Sequence, residues 1–306
     1  MQFSTALLAH LSMFFACAFW GLMAPLGKDA MSHGSDGMAM VSFRVTGAMI
    51  LFWTTSLFLK QERVPLKDIL LLGCAGVFGL MCNQCCFTIG LSLTSPVNAS
   101  IVTTGMPIFA MILSAIILKE PLTGKKALGV LMGCSGALIL ILTSVAAANN
   151  RVGDIRGDLL CLTAQFSYAL YLSLFNKLVK RYSVITVNRW MFLWATLLIL
   201  PFSYTHILSI PWADVPIKAW FETGYVVVVC TFVCYLLIMF AQKILRPTVV
   251  SIYNYVQPLV SVAVSLLFGL ASLQWTHALA VALVFSGVWL VVKSKSRNDI
   301  EKAKHS

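Results

Sequence analysis

The sequence has 306 residues, of which 11% are Asp, Glu, Lys or Arg, whereas a soluble domain carries about 25%. Apolar residues of the AVILMFWYC set make up 59% of the chain. So few charges cannot cover so much apolar surface in water, which argues against cytosolic enzymes, nucleic-acid-binding modules, disordered chains and secreted disulfide scaffolds. We therefore expect a protein whose main solvent is lipid.

Ten apolar stretches are long enough to cross a membrane. A bilayer core about 30 Å thick requires about 20 apolar residues per helix, because lipid offers no partners to backbone N–H and C=O groups. The stretches are Ala6–Gly27, Met38–Leu59, Ile69–Leu91, Pro96–Leu118, Ala127–Val145, Gly157–Lys177, Thr186–Thr205, Ala219–Gln242, Pro247–Gly269 and Thr276–Val292. They predict an all-α integral membrane protein with ten transmembrane helices, whose short loops leave no room for an ATP-binding domain.

The basic residues predict the orientation of these helices. Alternate loops carry sixteen Lys and Arg residues on one side of the membrane and four on the other. Basic loops stay in the cytoplasm, so both termini are expected there, in a multi-pass protein of the bacterial cytoplasmic (inner) membrane. The formal net charge of +11 then reports a basic cytoplasmic rim rather than an acidic partner.

The chain repeats itself at an offset of 151 residues. Pro96 aligns with Pro247 and Pro107 with Pro258, with further matches between them and beyond. The repeat predicts two units, residues 1–146 and residues 147–306, each of five helices. Because five is odd, the second unit must enter the membrane in the opposite sense. Inverted repeats of this kind are a recurrent plan of secondary transporters, with the solute bound near the membrane midplane.

Several motifs resemble a known family. The run Leu91–Ile101 (LSLTSPVNASI), Pro107, the pair Lys119-Glu120 and the segment Gly129–Gly136 look like the fourth and fifth helices of EamA-type members of the drug/metabolite transporter superfamily. In the second half, Leu245–Pro258 (LRPTVVSIYNYVQP) is similar to the corresponding signature. One difference is that Ala271 stands at the position that corresponds to Glu120, so the second half lacks this acidic residue. The resemblance implies a bundle of two inverted five-helix repeats that moves small metabolites, often outward.

Two prolines mark a candidate solute site. Pro107 and Pro258 lie eleven residues into their predicted helices, about 16 Å along the axis and so close to the midplane. A proline there frees the carbonyl of residue i−4, which is Thr103 or Asn254. These carbonyls, together with the polar side chains, predict a solute site between the halves, and the alternative is that the kinks only shape packing.

Other polar or aromatic residues inside the spans are further candidates for solute contact. For each of them, a hydrogen bond that only joins two helices is the alternative. Together they suit a zwitterionic or neutral amphipathic solute of amino-acid type. The full set of predicted solute-binding residues is Trp20, Arg44, Asn83, Gln84, Thr103, Thr104, Pro107, Gln165, Tyr168, Tyr235, Asn254, Tyr255, Gln257 and Pro258.

Charged residues inside the spans are few. Arg44 lies within the second span, where it is expected either to snorkel to the surface or to bind the carboxylate of a solute or a helix end. Arg189 and Glu222 lie near helix ends, where exposure is cheap. No acidic residue lies near the middle of a span, and His10 and His277 lie close to helix ends, so we expect facilitated movement or exchange and leave proton coupling open.

The remaining features predict packing rather than chemistry. Small-residue stripes at Gly73, Gly76 and Gly79 and at Gly129–Gly136 permit close helix contact. All nine cysteines fall within predicted spans and are expected to be reduced and buried. No catalytic residue, metal site or cofactor is predicted. The expected partners are membrane lipid and a small-molecule solute, without nucleic acid, and a homodimer is left open. The alternatives to a transporter are a membrane enzyme acting on lipids or isoprenoids, or a membrane sensor or scaffold.

Overall fold

The computed structural model describes residues 4–31, 36–93, 102–146, 155–267 and 275–295. These residues are helical almost throughout, and no strand occurs among them. In chain order the helices are α1 (Thr5–Met31), α2 (Gly37–Leu57), α3 (Leu66–Gly76, Val77–Cys82 and Asn83–Leu93), α4 (Met106–Ile117), α5 (Gly124–Ala146), α6 (Ile155–Leu174), α7 (Val184–Leu208), α8 (Ile217–Val227, Val228–Val233 and Cys234–Ile244), α9 (Pro247–Ile252, Tyr253–Tyr255 and Val256–Leu267) and α10 (Trp275–Val292). A short helix, Asn176–Arg181, lies between α6 and α7.

Among the described residues, five helices, α1, α2, α3, α7 and α8, are long and apolar enough to cross a membrane, and two shorter apolar helices, Met106–Ile117 and Ala278–Val292, accompany them. Large apolar side chains such as Phe58 and Trp275 face outward, as expected where the solvent is lipid. The chain is therefore an all-helical, multi-pass membrane protein. Ten crossings with cytoplasmic termini stay a prediction, and residues 94–101, which include the start of the fourth predicted span, lie outside the described residues.

Both α3 and α8 are interrupted by a π-helical segment. The segments are Val77–Cys82 and Val228–Val233, which are separated by the same 151 residues as the aligned prolines. A π turn holds one extra residue and disturbs the regular hydrogen bonds of the helix. Hydroxyl groups bond to carbonyls at both places: Thr231 donates to Val226 O at 2.8 Å within α8, and Ser167 of α6 donates to Phe78 O at 2.8 Å in α3.

The helical paths through α4 and α9 are also interrupted at matching positions. A turn at Thr104–Gly105 precedes α4, and a 3-10 turn at Tyr253–Tyr255 divides α9. The two prolines stand just after these breaks, near the start of a new helical segment, where a proline is well tolerated. Each break falls in the turn before its proline, at or next to Asn254 and Thr103, the residues whose carbonyls the sequence predicts to be freed, while the position of these breaks at the membrane midplane stays a prediction.

Glycines allow helices to touch backbone to backbone. A Cβ on Gly129 of α5 would lie 2.7 Å from the carbonyl oxygen of Gly287 on α10, and a Cβ on Gly76 of α3 would lie 2.7 Å from the carbonyl oxygen of Met191 on α7. Real Cβ atoms do not approach that closely, so only glycine permits these contacts. The predicted packing role of both glycine stripes is confirmed.

Candidate functional site

Arg44 of α2 lies inside the bundle, with 6% of its surface exposed. Its Nε donates to Thr231 Oγ1 of α8 at 3.1 Å, and its Nη1 donates to Gln84 Oε1 of α3 at 3.0 Å. Both acceptors are neutral, and within the described ranges no carboxylate forms an ion pair with this guanidinium. The expectation that Arg44 snorkels to the surface is therefore wrong, because two interior acceptors hold its side chain in place.

A small cavity lies against this guanidinium. Its volume is about 10 Å³, about the space that one water molecule requires. The lining residues are Val41, Arg44, Val45, Leu80, Gln84, Phe192, Thr231 and Tyr235. Six of the eight form pairs one repeat offset apart, namely Val41 with Phe192, Leu80 with Thr231, and Gln84 with Tyr235. The cavity thus lies where aligned segments of the two halves meet, and Arg44, whose counterpart is Ala195, breaks the symmetry.

Aromatic side chains form a wall beside the cavity. The ring of Tyr235 on α8 lies 5.0 Å from that of Phe192 on α7 and 6.1 Å from that of Trp20 on α1, both edge to face. Trp20 is fixed by its own hydrogen bond, from Nε1 to Cys230 O at 2.8 Å, which lies in the π segment of α8. The guanidinium of Arg44 and the aromatic wall therefore lie side by side, and Tyr235 belongs both to the cavity lining and to the wall.

A second group of predicted residues meets where α9 is broken. Tyr255 donates to Thr104 O at 3.1 Å, across to the turn before α4, and these two residues are one offset of 151 apart. Gln257 Nε2 donates to Asn254 Oδ1 at 2.9 Å, and Asn254 Nδ2 lies 3.2 Å from Met106 Sδ. Pro107 and Pro258 stand beside this group, which we call the break cluster: Thr104, Met106, Asn254, Tyr255 and Gln257.

Other predicted residues lie elsewhere. Asn83 donates to Ala164 O at 2.9 Å and so joins α3 to α6, while the ring of Tyr168 lies 5.6 Å from that of Tyr171 on its own helix, in a tilted arrangement. Gln165 is buried on α6, and Thr103 is partly exposed just before the break. None of these four side chains lines the cavity at Arg44. Their role as solute contacts stays a prediction.

Sequence reasoning overlooked Thr231 and Phe192, which line the cavity. Thr231 is the one hydroxyl residue in the apolar run Val226–Val233, and that isolation was a signal. Both residues could also have been found by adding the repeat offset to Leu80 and Val41, but those partners are apolar and drew no attention. The interaction of Thr231 with Arg44 joins residues 187 positions apart, which no local pattern reveals.

A second arginine is also buried, contrary to expectation. Arg189 of α7 has 6% of its surface exposed. Its guanidinium lies 5.3 Å from the ring centre of Trp53 and 5.6 Å from that of Trp190, and it donates a hydrogen bond to Gln61. The prediction that the Arg189 side chain is exposed to solvent near a helix end is wrong, because indole faces and an amide oxygen replace water around its charge.

Polar contacts join the two halves at each end of the bundle. At the end that we call the basic end, Asp68 accepts from Arg181 at 2.7 Å and from the hydroxyl of Tyr182, and the hydrogen bond to Asp68 raises the pKa of Tyr182. Glu62 accepts from Ser183 N at 2.9 Å. At the opposite end, the carboxylate of Asp36 contacts the imidazole Nδ1 of His206.

The carboxylate of Glu62 titrates below its usual range. Burial alone would raise its pKa, but hydrogen bonds from Thr186 and Ser183, with the nearby charge of Lys243, outweigh burial and lower it. A lowered pKa means that the contact with Ser183 persists at neutral and mildly acidic pH and weakens only as pH falls through the pKa of the folded state. The contact between Glu62 and Ser183 at the basic end therefore does not titrate near neutrality.

The chain resembles proteins that are named as transporters. It is 24% identical over 268 residues to the uncharacterized transporter YyaM of Bacillus subtilis (strain 168), covering 88% of this chain and 84% of that protein. It is 22% identical over 295 residues to the uncharacterized transporter YetK of the same organism, covering 95% and 88%. An uncharacterized transporter of Archaeoglobus fulgidus is 28% identical over 170 residues, covering 56% of this chain and 58% of that protein.

A solved crystal structure has the same fold, with a TM-score of 0.75 over 94% of this chain and 99% of the other at 19% identity. The sequence model of the EamA-like transporter family matches residues 7–142 and again residues 155–293. The relatives and the family point to a transporter rather than an enzyme. The chain belongs to the EamA-like transporter family, whose members are membrane transporters.

Proposed function

We propose that this protein is a secondary transporter that carries small amino-acid-like solutes, zwitterionic or neutral and amphipathic, across the bacterial cytoplasmic membrane by alternating access, in the direction of export. The single observation that carries the proposal is the buried guanidinium of Arg44, which has only neutral partners among the described residues. The family supports transport, and the chemistry around Arg44 supports the class of solute.

The charge of Arg44 has a stability cost that the neutral contacts offset only in part. An arginine at the centre of a membrane helix costs about 2.5–3.5 kcal/mol on insertion scales, and such residues usually mark solute or ion pathways. A guanidinium binds carboxylate or phosphate oxygens in bidentate geometry, and the carboxylate is the anion that an amino-acid-like solute carries. A solute carboxylate would therefore supply the negative charge that the described residues do not place beside Arg44.

The aromatic wall suits the rest of a zwitterionic solute. Tyr235 and Phe192 line the cavity together with the guanidinium, and Trp20 packs edge to face against Tyr235. An ammonium group near an aromatic face gains about 0.5–2 kcal/mol, and an apolar side chain gains from contact with the same rings. Gln84 and Thr231 add hydrogen-bonding groups. This arrangement supports recognition of a carboxylate at one end of the solute and a cationic or apolar group at the other.

The size of the cavity supports alternating access. A volume of about 10 Å³ cannot hold an amino acid, so solute entry requires the surrounding helices to separate. The matched π segments of α3 and α8 and the double match of the family model support two related halves that can exchange conformations. The contacts at the basic end and at the opposite end join these halves, and the transport cycle would open them in turn.

Counterflow into proteoliposomes tests the proposal. Vesicles loaded with unlabelled amino acids are mixed with single ¹⁴C-labelled amino acids, and accumulation above protein-free vesicles is measured. We expect accumulation with the parent protein, reduced accumulation with Arg44→Lys, and none with Arg44→Gln. Arg189→Gln is the matched control, because it neutralises the second buried arginine away from the cavity. Equal activity of the parent and Arg44→Gln would contradict the proposed site.

A further inference from the structure

A histidine contacts the broken helix α9 directly. Nδ1 of His10 on α1 lies 2.9 Å from the hydroxyl oxygen of Tyr253, and the two ring centres are 5.9 Å apart. Tyr253 is buried, with 8% of its surface exposed, and it opens the 3-10 turn of α9. His10 itself is partly exposed. The sequence placed His10 near a helix end and gave it no role, whereas the structure places it against the break.

The contact between His10 and Tyr253 lies directly beside the break cluster. Asn254 and Tyr255 follow Tyr253 in the same turn, and Tyr255 reaches across to Thr104 before α4. On α1, Cys17 Sγ lies 4.0 Å from Asn254 Oδ1. A 3-10 turn has poorer hydrogen-bond geometry than an α-helix and often marks a hinge. A change in the hydrogen bond between α1 and Tyr253 therefore acts next to the place where α9 contacts the turn before α4.

We propose that His10 is a proton-binding site through which pH at the basic end controls the broken segment of α9. The inference rests on the proposed function, because it assigns a coupling ion to the transporter. Neutral imidazole has one donor and one acceptor nitrogen, so Tyr253 can donate to it. Imidazolium has two donors and no acceptor. After protonation Nδ1 can only donate to the tyrosine oxygen, so the hydrogen bond reverses and the buried tyrosine hydrogen is left without an acceptor. The new charge in a half-buried position also draws the ring toward water.

Among the described residues, the titratable groups beside this contact are thiols and phenols, and the amine of Lys243 lies further along α8. Cys17 lies on α1, Cys234 of α8 contacts Ala16 O at 3.6 Å, and Tyr255 lies on α9. Lys243, near the end of α8, donates to Tyr182 O at 2.6 Å. Thiols, phenols and amines ordinarily titrate above pH 8, whereas imidazole titrates near pH 6.5. Among these groups, His10 is therefore the one whose charge changes between pH 5 and pH 8.

Hydrogen–deuterium exchange of the purified, full-length protein tests the inference without a solute. Exchange of peptides from Pro247–Leu267 is measured at pH 6 and pH 8, with labelling times scaled to the intrinsic exchange rate. In the parent protein, we expect these peptides to exchange about fivefold faster at pH 6, the factor that losing one ordinary hydrogen bond produces. In His10→Gln, which keeps a hydrogen-bonding side chain that does not titrate, the two rates should agree.

Two further variants keep the test decisive. Tyr253→Phe removes the hydroxyl and should exchange fast at both pH values. His206→Gln, a matched control at the opposite end of the bundle, should keep the pH effect on α9. A parent protein whose α9 exchange does not depend on pH, or a pH effect that survives in His10→Gln, overturns the inference.

A transport measurement separates this inference from the proposed function. In proteoliposomes, ¹⁴C-labelled amino acids are followed with and without an imposed pH gradient. We expect the gradient to drive accumulation in the parent protein, and His10→Gln to retain counterflow but lose the response to the gradient. Counterflow in the parent without any response to the gradient overturns the coupling role. If no amino acid moves in the parent, the solute class is wrong, and the exchange experiment alone decides the role of His10.

Discussion

Replacing Arg44 by methionine should separate stability from transport. Methionine fills much of the same volume without the charge, and a charged residue at a helix centre costs about 3 kcal/mol. The variant loses two hydrogen bonds, but Thr231 still donates to Val226 O, so the main penalty is the unpaired amide oxygen of Gln84, about 2 kcal/mol. The difference predicts that Arg44→Met is more stable than the parent by about 1 kcal/mol.

The assay is thermal unfolding in detergent, with and without solute, together with counterflow. Without solute we expect Arg44→Met to unfold about 2 °C higher than the parent, as a gain of about 1 kcal/mol implies for a chain of this size. A saturating solute, at about 100 times its dissociation constant, should stabilise the parent by about 2.7 kcal/mol and leave the variant unchanged. Counterflow by the variant should be absent.

Two results would refute this reasoning. If Arg44→Met unfolds well below the parent, the guanidinium is a structural cross-link between α2, α3 and α8 rather than a group kept for binding. If the variant transports like the parent, the charge does not take part in solute recognition. Enzymes and binding proteins commonly retain destabilising groups at their sites, and the expected pattern here, a gain in stability with a loss of transport, belongs to that class.

Gly133→Ala should lower stability by about 1–3 kcal/mol and slow counterflow, because its Cβ would overlap the ring of Tyr255; thermal unfolding and initial rates check this, and full activity would contradict a hinge at the break cluster. Tyr255→Phe, which loses the bond to the turn before α4, should cost about 1 kcal/mol and also slow counterflow. Asp68→Asn should speed trypsin cleavage after Arg181, since their ion pair at 2.7 Å is weakened, and unchanged cleavage would count against a closed basic end. Because the pKa of Glu62 is lowered, parent cleavage relative to trypsin cleavage of an unstructured peptide at the same pH should stay constant from pH 8 to pH 6, and a rise within that window would contradict the sign derived for Glu62. A C-terminal fusion should fluoresce as a GFP chimera and stay inactive as an alkaline phosphatase chimera if the tail is cytoplasmic, and the reverse pattern would overturn the orientation.

Periodicity and composition were sufficient to predict the helices. Long apolar runs can satisfy their backbone groups only within themselves in lipid, so α2 at Gly37–Leu57 and α7 at Val184–Leu208 lie close to their predicted spans. The glycine stripes were also interpretable, because a residue without a Cβ has one obvious use in a tight helix contact. Helices and glycine stripes depend on residues that are close in sequence, so a sequence pattern can predict them directly.

The site was only partly predictable. The sequence singled out Arg44, Gln84 and Tyr235 as polar or aromatic residues in apolar surroundings, and the structure brings these three to one cavity. It could not show that Thr231 faces Arg44, because that depends on where a π segment falls and on how α8 packs against α2. For the same reason Arg189 was misplaced: burial between Trp53 and Trp190 is decided by tertiary packing, which local hydropathy does not encode.

The π segments of α3 and α8 set the direction of every side chain that follows them. One extra residue in a turn rotates the remainder of a helix by about 100° relative to an uninterrupted one. Gln84 follows one segment and Tyr235 the other, so both owe their direction to a change in residue number rather than to their own chemistry. Deleting a single residue from either segment would turn an unaltered side chain away from Arg44. Which side chains line the cavity therefore depends on the number of residues in the π segments of α3 and α8 as well as on the identity of the lining residues.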